Sequence, residues 1–423
     1  MAAGIARREV MVSAAAAALA GVAGRSTGAR AQQKPIRLGL ITPLSGPQEI
    51  VGRDHLAGAT IAVNQINQAG GVLGRTLELE TRDDKASPAA GVAASKDLVS
   101  SGVNLLFGVL SSGVALAIAP TLKGDDAVLI LCAASANELT HEQFTPNLFR
   151  ASDEAYMRQR ALAKVVAKDY AAINSWTAIN PQTAIGASNW DSFVDGLNQF
   201  YPQEAGHNVE VIDALTVKYG ATDYKNEIAQ LMRRSAEGLY LGVYGGDAVT
   251  MLRQAAPYGL ARKFKVLVDP GSEYIVAQTL GKSTPVGLWA GIHWYFGAYR
   301  GNAINDALYD AYVKSTGNPF PAGYVGEGHA GVLAYAAAIQ RAGSTETGAV
   351  IGALEGMSFA SCKGKRTFRK EDHQAICDVN MVQFAPDDTA AGWKIVGYRV
   401  VDGAESIEPP SPGKALVLNT KRQ

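Results

Sequence analysis

The chain has 423 residues, with 39 Lys and Arg balanced by 39 Asp and Glu. This neutral balance lacks the basic excess of nucleic-acid-binding proteins, so no nucleic-acid partner is expected. About 390 residues remain after the N-terminal leader discussed next, and a chain of this length is expected to form two domains rather than one.

The first 31 residues are predicted to be an export signal of the twin-arginine type. Arg7-Arg8 precedes a short, Ala-rich apolar core, and Ala29-Arg30-Ala31 matches the small-x-small pattern of a cleavage site. The core is shorter and weaker than the roughly 20 strongly apolar residues that span a membrane. We therefore expect cleavage near Ala31, a mature chain that begins at Gln32 and a periplasmic location.

Strands and helices alternate regularly from Pro35 onward. Short apolar runs predict strands over 36–41, 75–81, 104–110 and 127–131. Helical patterns lie between them over 53–69, 88–100 and 114–122. Four strand–helix steps in about 110 residues are typical of a parallel, doubly wound α/β sheet.

Small hydroxyl residues follow two successive strands of this predicted sheet. Ser111-Ser112 comes after the third strand, and Ser135 comes after the fourth. The carboxyl ends of such strands meet helix N-termini, whose free N–H groups suit a carboxylate or another anion. We expect a ligand crevice at this edge of the sheet. The alternative is that Ser111 and Ser135 are only helix caps.

An ordered set of short motifs occurs in this half of the chain. It comprises Leu40–Pro47, Gly52, Gly58, Asn67, Gly70–Arg75, Asp83-Asp84, Gly108–Ser112, Ala134-Ser135 and Glu138–Thr140. In order and spacing the set resembles the periplasmic solute-binding proteins of the branched-chain amino acid type. Weaker motifs extend the resemblance to about Pro386. It implies a type I periplasmic binding fold, with two doubly wound parallel-sheet lobes joined by a three-strand hinge.

The lobe boundaries follow from the later elements. Strands are predicted over 176–180, 209–216, 238–244, 263–268 and 287–295, with a hairpin over 365–368 and 375–384. Helices are predicted over 154–168, 189–200, 223–235, 247–258, 303–315, 325–342 and 347–354. The first lobe would comprise 32–150 and 293–358, and the second 151–292 and 359–401. The tail over 402–423, with Pro409, Pro410 and Pro412, is expected to be poorly ordered.

The resemblance also implies ligand-binding positions. Those that hold an amino acid carboxylate through N–H and hydroxyl groups are Ser111, Ser112, Ala134 and Ser135. Two aromatic positions close the cleft, Tyr244 on the second lobe and Tyr324 before the 325–342 helix, although ordinary packing would also explain both. The ammonium partner would be Asp269 or Glu273, since an ammonium buried without a counter-charge costs several kcal/mol.

Two departures from the family pattern leave the ligand open. Val51 stands where branched-chain binders often have an aromatic residue, and Ile185 stands where they have a Tyr. Aromatic acids, amides and urea-like solutes, which relatives of this fold bind, remain alternatives to an amino acid. His293-Trp294-Tyr295 and Glu327-x-His329 would rim such a pocket or simply pack in the core.

The sequence gives little support for a catalytic activity or a bound cofactor. No His-Glu-x-x-His pattern occurs, Asp83-Asp84 has a structural counterpart in the family, and Gly242–Gly246 does not match a dinucleotide-binding loop. No metal or cofactor is expected. In an oxidising periplasm Cys362 and Cys377 are a plausible disulfide pair, while Cys132 is expected to be a buried thiol.

The sequence therefore predicts a monomeric, extracytoplasmic solute-binding component of an ABC importer, not an enzyme. Its partners would be a small-molecule ligand, most simply a branched-chain or related amino acid, and the membrane permease. A ligand-sensing receptor or regulator of the same fold is an alternative, although no anchor or effector segment is visible. An exported hydrolase would need a nucleophile and a base, for which there is no signature.

Overall fold

The computed structural model describes residues 34–46 and 48–421. The predicted export signal lies outside these residues. The strands, in chain order, are β1 Ile36–Thr42, β2 Leu77–Asp83, β3 Leu105–Gly108, β4 Val128–Leu131, β5 Leu148–Arg150, β6 Ser175–Pro181, β7 Glu210–Val211, β8 Leu215–Val217, β9 Gly238–Leu241, β10 Val266–Asp269, β11 Leu288–Ile292, β12 Ser358–Ser361, β13 Gly364–Phe368, β14 Ala375–Ile376, β15 Val379–Pro386 and β16 Trp393–Val401.

The α-helices alternate with these strands through most of the chain. They are α1 Glu49–Gln68, α2 Pro88–Ser100, α3 Ser112–Ile118, α4 Ala155–Asp169, α5 Ala184–Glu204, α6 Lys225–Arg233, α7 Gly246–Ala255, α8 Leu260–Lys263, α9 Ile275–Leu280, α10 Ala303–Thr316, α11 Gly323–Ala342, α12 Thr347–Leu354 and α13 Gly403–Ser406.

The first lobe is built on a parallel five-stranded sheet. Its order is β2-β1-β3-β4-β5, and every neighbouring pair is parallel. β3 and β4 are fully buried because helices cover both faces of the sheet. On one face α1 and α11 pack unusually closely, since Gly58 meets the backbone of Val325 and Gly328 meets that of His55. A side chain at either glycine would separate the two helices.

The second lobe has a larger, mixed sheet. Its order is β16-β15-β11-β10-β9-β6-β7, with β8 also paired to β6. The strands from β6 to β11 are parallel, whereas β15 and β16 are antiparallel additions at one edge. The predicted α/β fold with parallel sheets is confirmed, and the antiparallel edge is what the sequence pattern missed.

A separate three-stranded antiparallel sheet, β12-β13-β14, packs on the first lobe. Phe359, Phe368 and Ala375 join the core that contains β1 and α11. The last crossing between the lobes therefore lies between β14 and β15, later than the predicted position near Ser358. The other two crossings follow β5 and β11.

The C-terminal tail contacts both lobes, contrary to the expectation of poor order, although most of its side chains after Glu408 are exposed. α13 lies against α4 of the second lobe. The tail then reaches the first lobe, where the Ser411 hydroxyl lies 2.8 Å from Nδ1 of His141. It returns to the second lobe, where the Asn419 N–H donates to Asp195 of α5 over 2.7 Å. Polar partners on both lobes thus hold a segment whose prolines alone suggested disorder.

Candidate functional site

A cleft of about 780 Å³ lies between the two lobes at the carboxyl ends of their parallel strands. The first lobe contributes residues from α1, from the loops after β3 and β4, and from the start of α11. The second lobe contributes residues from α4, α5, α7 and the loops after β8, β9 and β10. The lining includes Val51, Asp54, Ser111, Ser112, Ala133, Ser135, Arg158, Ile185, Tyr219, Tyr244, Glu273, His293 and Tyr324.

Three of the predicted serines line this cleft, and they have different roles. Ser112 Oγ accepts the backbone N–H groups of Ser135 and Ala136 at 3.2 and 3.1 Å, so it ties the two loops together. Ser111 stands at the N-cap of α3 without a side-chain capping bond. Among the described residues, the Ser111 and Ser135 hydroxyls have no hydrogen-bond partner, so both remain available to a ligand.

The backbone before Ser111 explains how it reaches the cleft. Gly108, the last residue of β3, has φ of 112°, and Val109 has φ of 56°. A left-handed β-branched residue is strained, and here the Val109 N–H donates to Ile41 O over 2.8 Å, which holds the turn. The turn directs the chain from the buried strand into the cleft within three residues.

Ala134 does not line the cleft. Its side chain is fully buried in the core beneath β3 and β4, whereas Ala133 faces the cleft. The assignment of Ala134 to the ligand is therefore shifted by one residue. The period of two in an extended segment exchanges the two faces when the register moves by one position.

Asp269 is also buried and faces away from the cleft. Its Oδ1 accepts the N–H groups of Gly271 and Ser272 at 3.2 and 3.1 Å, which fixes the turn after β10. Burial raises the pKa of Asp269 to about 6, and the hydrogen bonds from the turn oppose that rise. Of the two predicted candidates, Glu273 is the one that lines the cleft.

Glu273 joins the two lobes at the hinge end of the cleft. One oxygen lies 2.7 Å from Nδ1 of His293 and accepts the His293 backbone N–H, and the other accepts the Gly323 N–H of α11 over 2.8 Å. Glu273 is only 3% exposed. Both of its oxygens are thus engaged within the protein.

The two predicted aromatic residues line the cleft from opposite lobes. Tyr244 is 39% exposed and packs against Tyr219, with ring centroids 5.8 Å apart. Burial raises the pKa of Tyr244 to about 12. Tyr324 lies against His293, with centroids 4.7 Å apart. Val51 and Ile185 line the same cleft, as the family comparison of their positions implied.

The other motifs considered for a pocket rim or for catalysis are structural. Asp83 accepts the Leu44 N–H at 2.8 Å and the Ser45 hydroxyl at 2.6 Å, so it shapes the loop after β1. Of the His293-Trp294-Tyr295 segment, only His293 lines the cleft. Glu327 and His329 are buried in α11.

Three charged cleft residues were not predicted from the sequence, namely Asp247 at the start of α7, Asp54 and Arg158. Asp54 lies in α1, one turn before the contact of Gly58 with α11, and Arg158 lies in the first turn of α4. Arg158 binds Asp153 through Nε at 2.7 Å and approaches it through Nη2 at the same distance. A charged residue on an amphipathic helix ordinarily faces solvent, so nothing in the local sequence indicated that these side chains line the cleft.

The predicted disulfide is absent: within the described chain, Cys132, Cys362 and Cys377 are all free and buried. β13 pairs with β14 so that Thr367 faces Ile376, and the next step places Cys377 level with Arg366. Cys362 lies four residues farther along, in the turn before β13. The two thiols also belong to different core clusters. Cys132 is buried, as expected.

A buried group outside the cleft has the composition of a metal site. The ligand atoms of His141, Glu154 and Glu408 lie within 4.8 Å of one another. However, Arg150 binds Glu154 at 2.8 Å and Arg369 binds Glu408 at 3.0 Å. Each carboxyl group thus already has a guanidinium partner, and His141 lies 3.2 Å from Glu408, while burial and the neighbouring Glu408 raise the pKa of Glu154. We therefore interpret this group as a buried polar network that holds the tail.

None of the described helices combines the length and apolarity that crossing a bilayer requires.

Comparison with known proteins gives a consistent result. Residues 35–390 match the family described as periplasmic binding protein. The Leu/Ile/Val-binding protein BraC3 of Rhizobium johnstonii is 30% identical over 220 residues, which are 52% of this chain and 57% of that protein.

Solved structures share the fold at low sequence identity. A leucine-, isoleucine-, valine-, threonine- and alanine-binding protein from Brucella ovis, in a closed conformation, has a TM-score of 0.78 and 20% identity, covering 91% of this chain and 100% of its own. A solute-binding protein from R. palustris in complex with benzoate has a TM-score of 0.71 and 19% identity, covering 90% and 100%.

Proposed function

The chain belongs to the periplasmic binding protein family, and from that premise we propose that it captures a branched-chain or related amino acid for an ABC importer. Members of this family bind solutes for such importers outside the cytoplasm and are not enzymes. In the proposed cycle the solute binds between the lobes, the lobes close around it, and the closed form delivers it to the membrane permease.

The observation that carries the proposal is the pair of unpartnered serine hydroxyls opposite aromatic and apolar side chains. Ser111 and Ser135 lie on the first lobe, where a ligand carboxylate would receive charge-assisted hydrogen bonds. Tyr244 and Ile185 lie on the second lobe and would contact an apolar side chain once the lobes approach. A carboxylate at one end and an apolar group at the other describe an aliphatic amino acid.

An aromatic acid is the second candidate, because it has the same two features. Val51 and Ile185 replace the larger aromatic residues typical of branched-chain binders, and this replacement leaves room for a ring. The R. palustris relative bound to benzoate has the same fold. A receptor or regulator role would use the same cleft, and it would differ in the partner that recognises the closed form.

A ligand screen on the protein beginning at Gln32 tests this function. L-leucine, L-isoleucine, L-valine, benzoate, an aliphatic amide and urea would each be added before thermal melting. A ligand at 100 times its Kd stabilises the native state by about 2.7 kcal/mol. With about 2.1 cal/mol/K of unfolding entropy per residue, this corresponds to a rise in Tm of about 3 °C. If no member of the panel raises Tm, the proposed ligand classes are wrong.

Export and assembly of the chain are also expected to follow the family pattern. The leader with Arg7-Arg8 would direct the chain through the twin-arginine route, with cleavage near Ala31. We expect the mature protein to be a monomer, because one cleft between its own lobes contains all the proposed ligand contacts. Light scattering of the purified protein would measure the monomer mass.

A further inference from the structure

The charges that line the cleft are unbalanced. Asp54, Asp247 and Glu273 contribute three carboxylates, whereas Arg158 contributes one guanidinium. That guanidinium is engaged by Asp153. A cleft with this excess of acid would repel a simple carboxylate and would favour a solute that also carries a positive charge.

The three carboxylates differ in how many hydrogen bonds their oxygens accept from the rest of the protein. Glu273 accepts three hydrogen bonds from His293 and Gly323 and is almost fully buried. Asp247 accepts the N–H of Gly220 at 2.8 Å. Asp54 accepts one bond, from the Tyr312 hydroxyl at 3.0 Å, and is half-buried at the cleft wall. Its other oxygen is the acceptor that the cleft leaves open.

No cation neutralises Asp54. Its neighbour Arg53 turns outward and pairs with Glu49 at 2.7 Å, and the described residues provide no other ion pair to Asp54. The position is also rigid, because α1 is fixed against α11 by the contact of Gly58 with Val325. An uncompensated carboxylate held on a rigid helix is an arrangement that a cationic ligand group would stabilise.

We propose that Asp54, on the first lobe, binds the ammonium group of the solute and thereby selects amino acids over carboxylic acids that lack an amine. This inference rests on the proposed solute-binding function and names the solute class. The acidic contact would come from α1, while Glu273, one of the two residues that the family resemblance suggested for the ammonium, would hold the hinge.

The ionisation of Asp54 supports this role. Burial raises its pKa to about 6, the Tyr312 hydroxyl opposes the rise, and Glu273 adds to it. The other ionisable groups of this region include His293, Tyr324 and Arg158, which lie near Glu273, and Asp153, which pairs with Arg158. A bound ammonium would favour the charged form. Below pH 6 a proton would therefore compete with the solute, and affinity would fall by up to tenfold per pH unit.

Isothermal titration with L-leucine and with 4-methylpentanoate, the same skeleton without the amine, tests the proposal. At pH 7.5 the wild-type protein should bind leucine at least tenfold more tightly. Asp54→Asn should lose about 10- to 150-fold in leucine affinity, the range expected for a charge-assisted hydrogen bond, while 4-methylpentanoate binding stays the same or strengthens. The pH dependence below 6 should disappear in the variant.

Glu49→Gln is the matched control. It removes one negative charge from the same helix but outside the cleft, so leucine affinity should stay within about twofold, as for exposed charges screened by salt. Folding of Asp54→Asn is checked by its melting curve. Because the raised pKa means that the ionised carboxylate destabilises the empty fold above pH 6, the empty variant should melt at a higher temperature than wild type at pH 7.5.

The outcomes separate this inference from the proposed function. If Asp54→Asn binds leucine as tightly as wild type, or if wild type binds 4-methylpentanoate as tightly as leucine, the role of Asp54 is refuted while solute binding stands. If no solute of the screening panel binds, the proposed ligand classes fail first, and this inference fails with them.

Discussion

The serines of the cleft allow a test that separates ligand binding from folding. Ser111→Ala, Ser135→Ala and Ser112→Ala remove the same atom from neighbouring positions. Ser111 and Ser135 have free hydroxyls, so each change should cost a charge-assisted bond of ~1.5–3 kcal/mol in the complex, or roughly 10- to 150-fold in affinity. Empty-protein stability should change by less than about 0.5 kcal/mol, as for surface substitutions.

Ser112→Ala should behave differently because its hydroxyl accepts two backbone N–H groups, those of Ser135 and Ala136. At about 0.5–1.5 kcal/mol for each bond, the empty variant should lose about 1–3 kcal/mol. An unfolding entropy of about 2.1 cal/mol/K per residue over about 390 residues converts this to a fall in Tm of about 1–4 °C.

Calorimetric melting of the empty variants and isothermal titration with the tightest solute of the screen give the two readouts. For Ser111→Ala and Ser135→Ala we expect the affinity to fall without a change in Tm. Wild-type affinity in both variants would show that the carboxylate is not held at these strand ends. If the Tm of the empty Ser111→Ala protein falls as much as that of Ser112→Ala, Ser111 acts as a helix cap and not as a ligand contact.

Three further outcomes are expected. Glu408→Gln should lower the stability of the empty protein by about 3–5 kcal/mol near neutral pH, because it breaks a buried ion pair that holds the tail. Burial alone would raise the pKa of Glu408, but hydrogen bonds with His141 and Glu154 and the charge of Arg369 lower it to about 2, so this difference should shrink as pH falls from 4.5 toward 2, as paired melting curves would show. All three thiols should react with an alkylating reagent only after unfolding, and peptide mapping that finds a disulfide would contradict the packing described above. Replacement of Arg7-Arg8 by two lysines should block export, and mass spectrometry of exported wild-type protein should find a start near Gln32; an exported chain that still begins at Met1 would exclude cleavage.

The alternation of strands and helices was readable because it reflects local pattern. A short apolar run such as the one that becomes β3 is compatible with few structures other than a parallel strand covered on both faces. The turn after such a strand is local as well, so Ser111 and Ser135 could be placed at the sheet edge. The prediction that Ala134 contacts the ligand was wrong, because a shift of one residue along an extended segment exchanges the side chains that face the cleft with those that face the core. A single sequence does not determine the register to one residue.

Features that depend on contacts between distant segments could not be read in the same way. Cys362 and Cys377 are close in sequence, yet the register of β13 and β14 separates them. The tail is held by His141, more than 260 positions earlier in the chain, and nothing in its local composition predicts that partner. The role proposed for Asp54 depends on the packing of α1 against α11, which the local sequence around Asp54 does not predict.

The charges of the cleft and those of the hinge form one continuous group. Glu273 accepts hydrogen bonds from His293, at the second crossing, and from Gly323, on the first lobe. At the first crossing, burial alone would raise the pKa of Asp153, but Arg158, Lys363 and, to a smaller extent, His293 hold it well below its usual range. Because these groups are buried, the field of one is weakly screened at the next. A solute that brings a positive charge to Asp54 therefore acts on the crossings as well as on its own contact. A ligand shifts an equilibrium between open and closed lobes only as far as it interacts differently with the two. The proposed ammonium contact at Asp54 would contribute to that difference, because the Glu273 charge that helps to raise the pKa of Asp54 belongs to the second lobe.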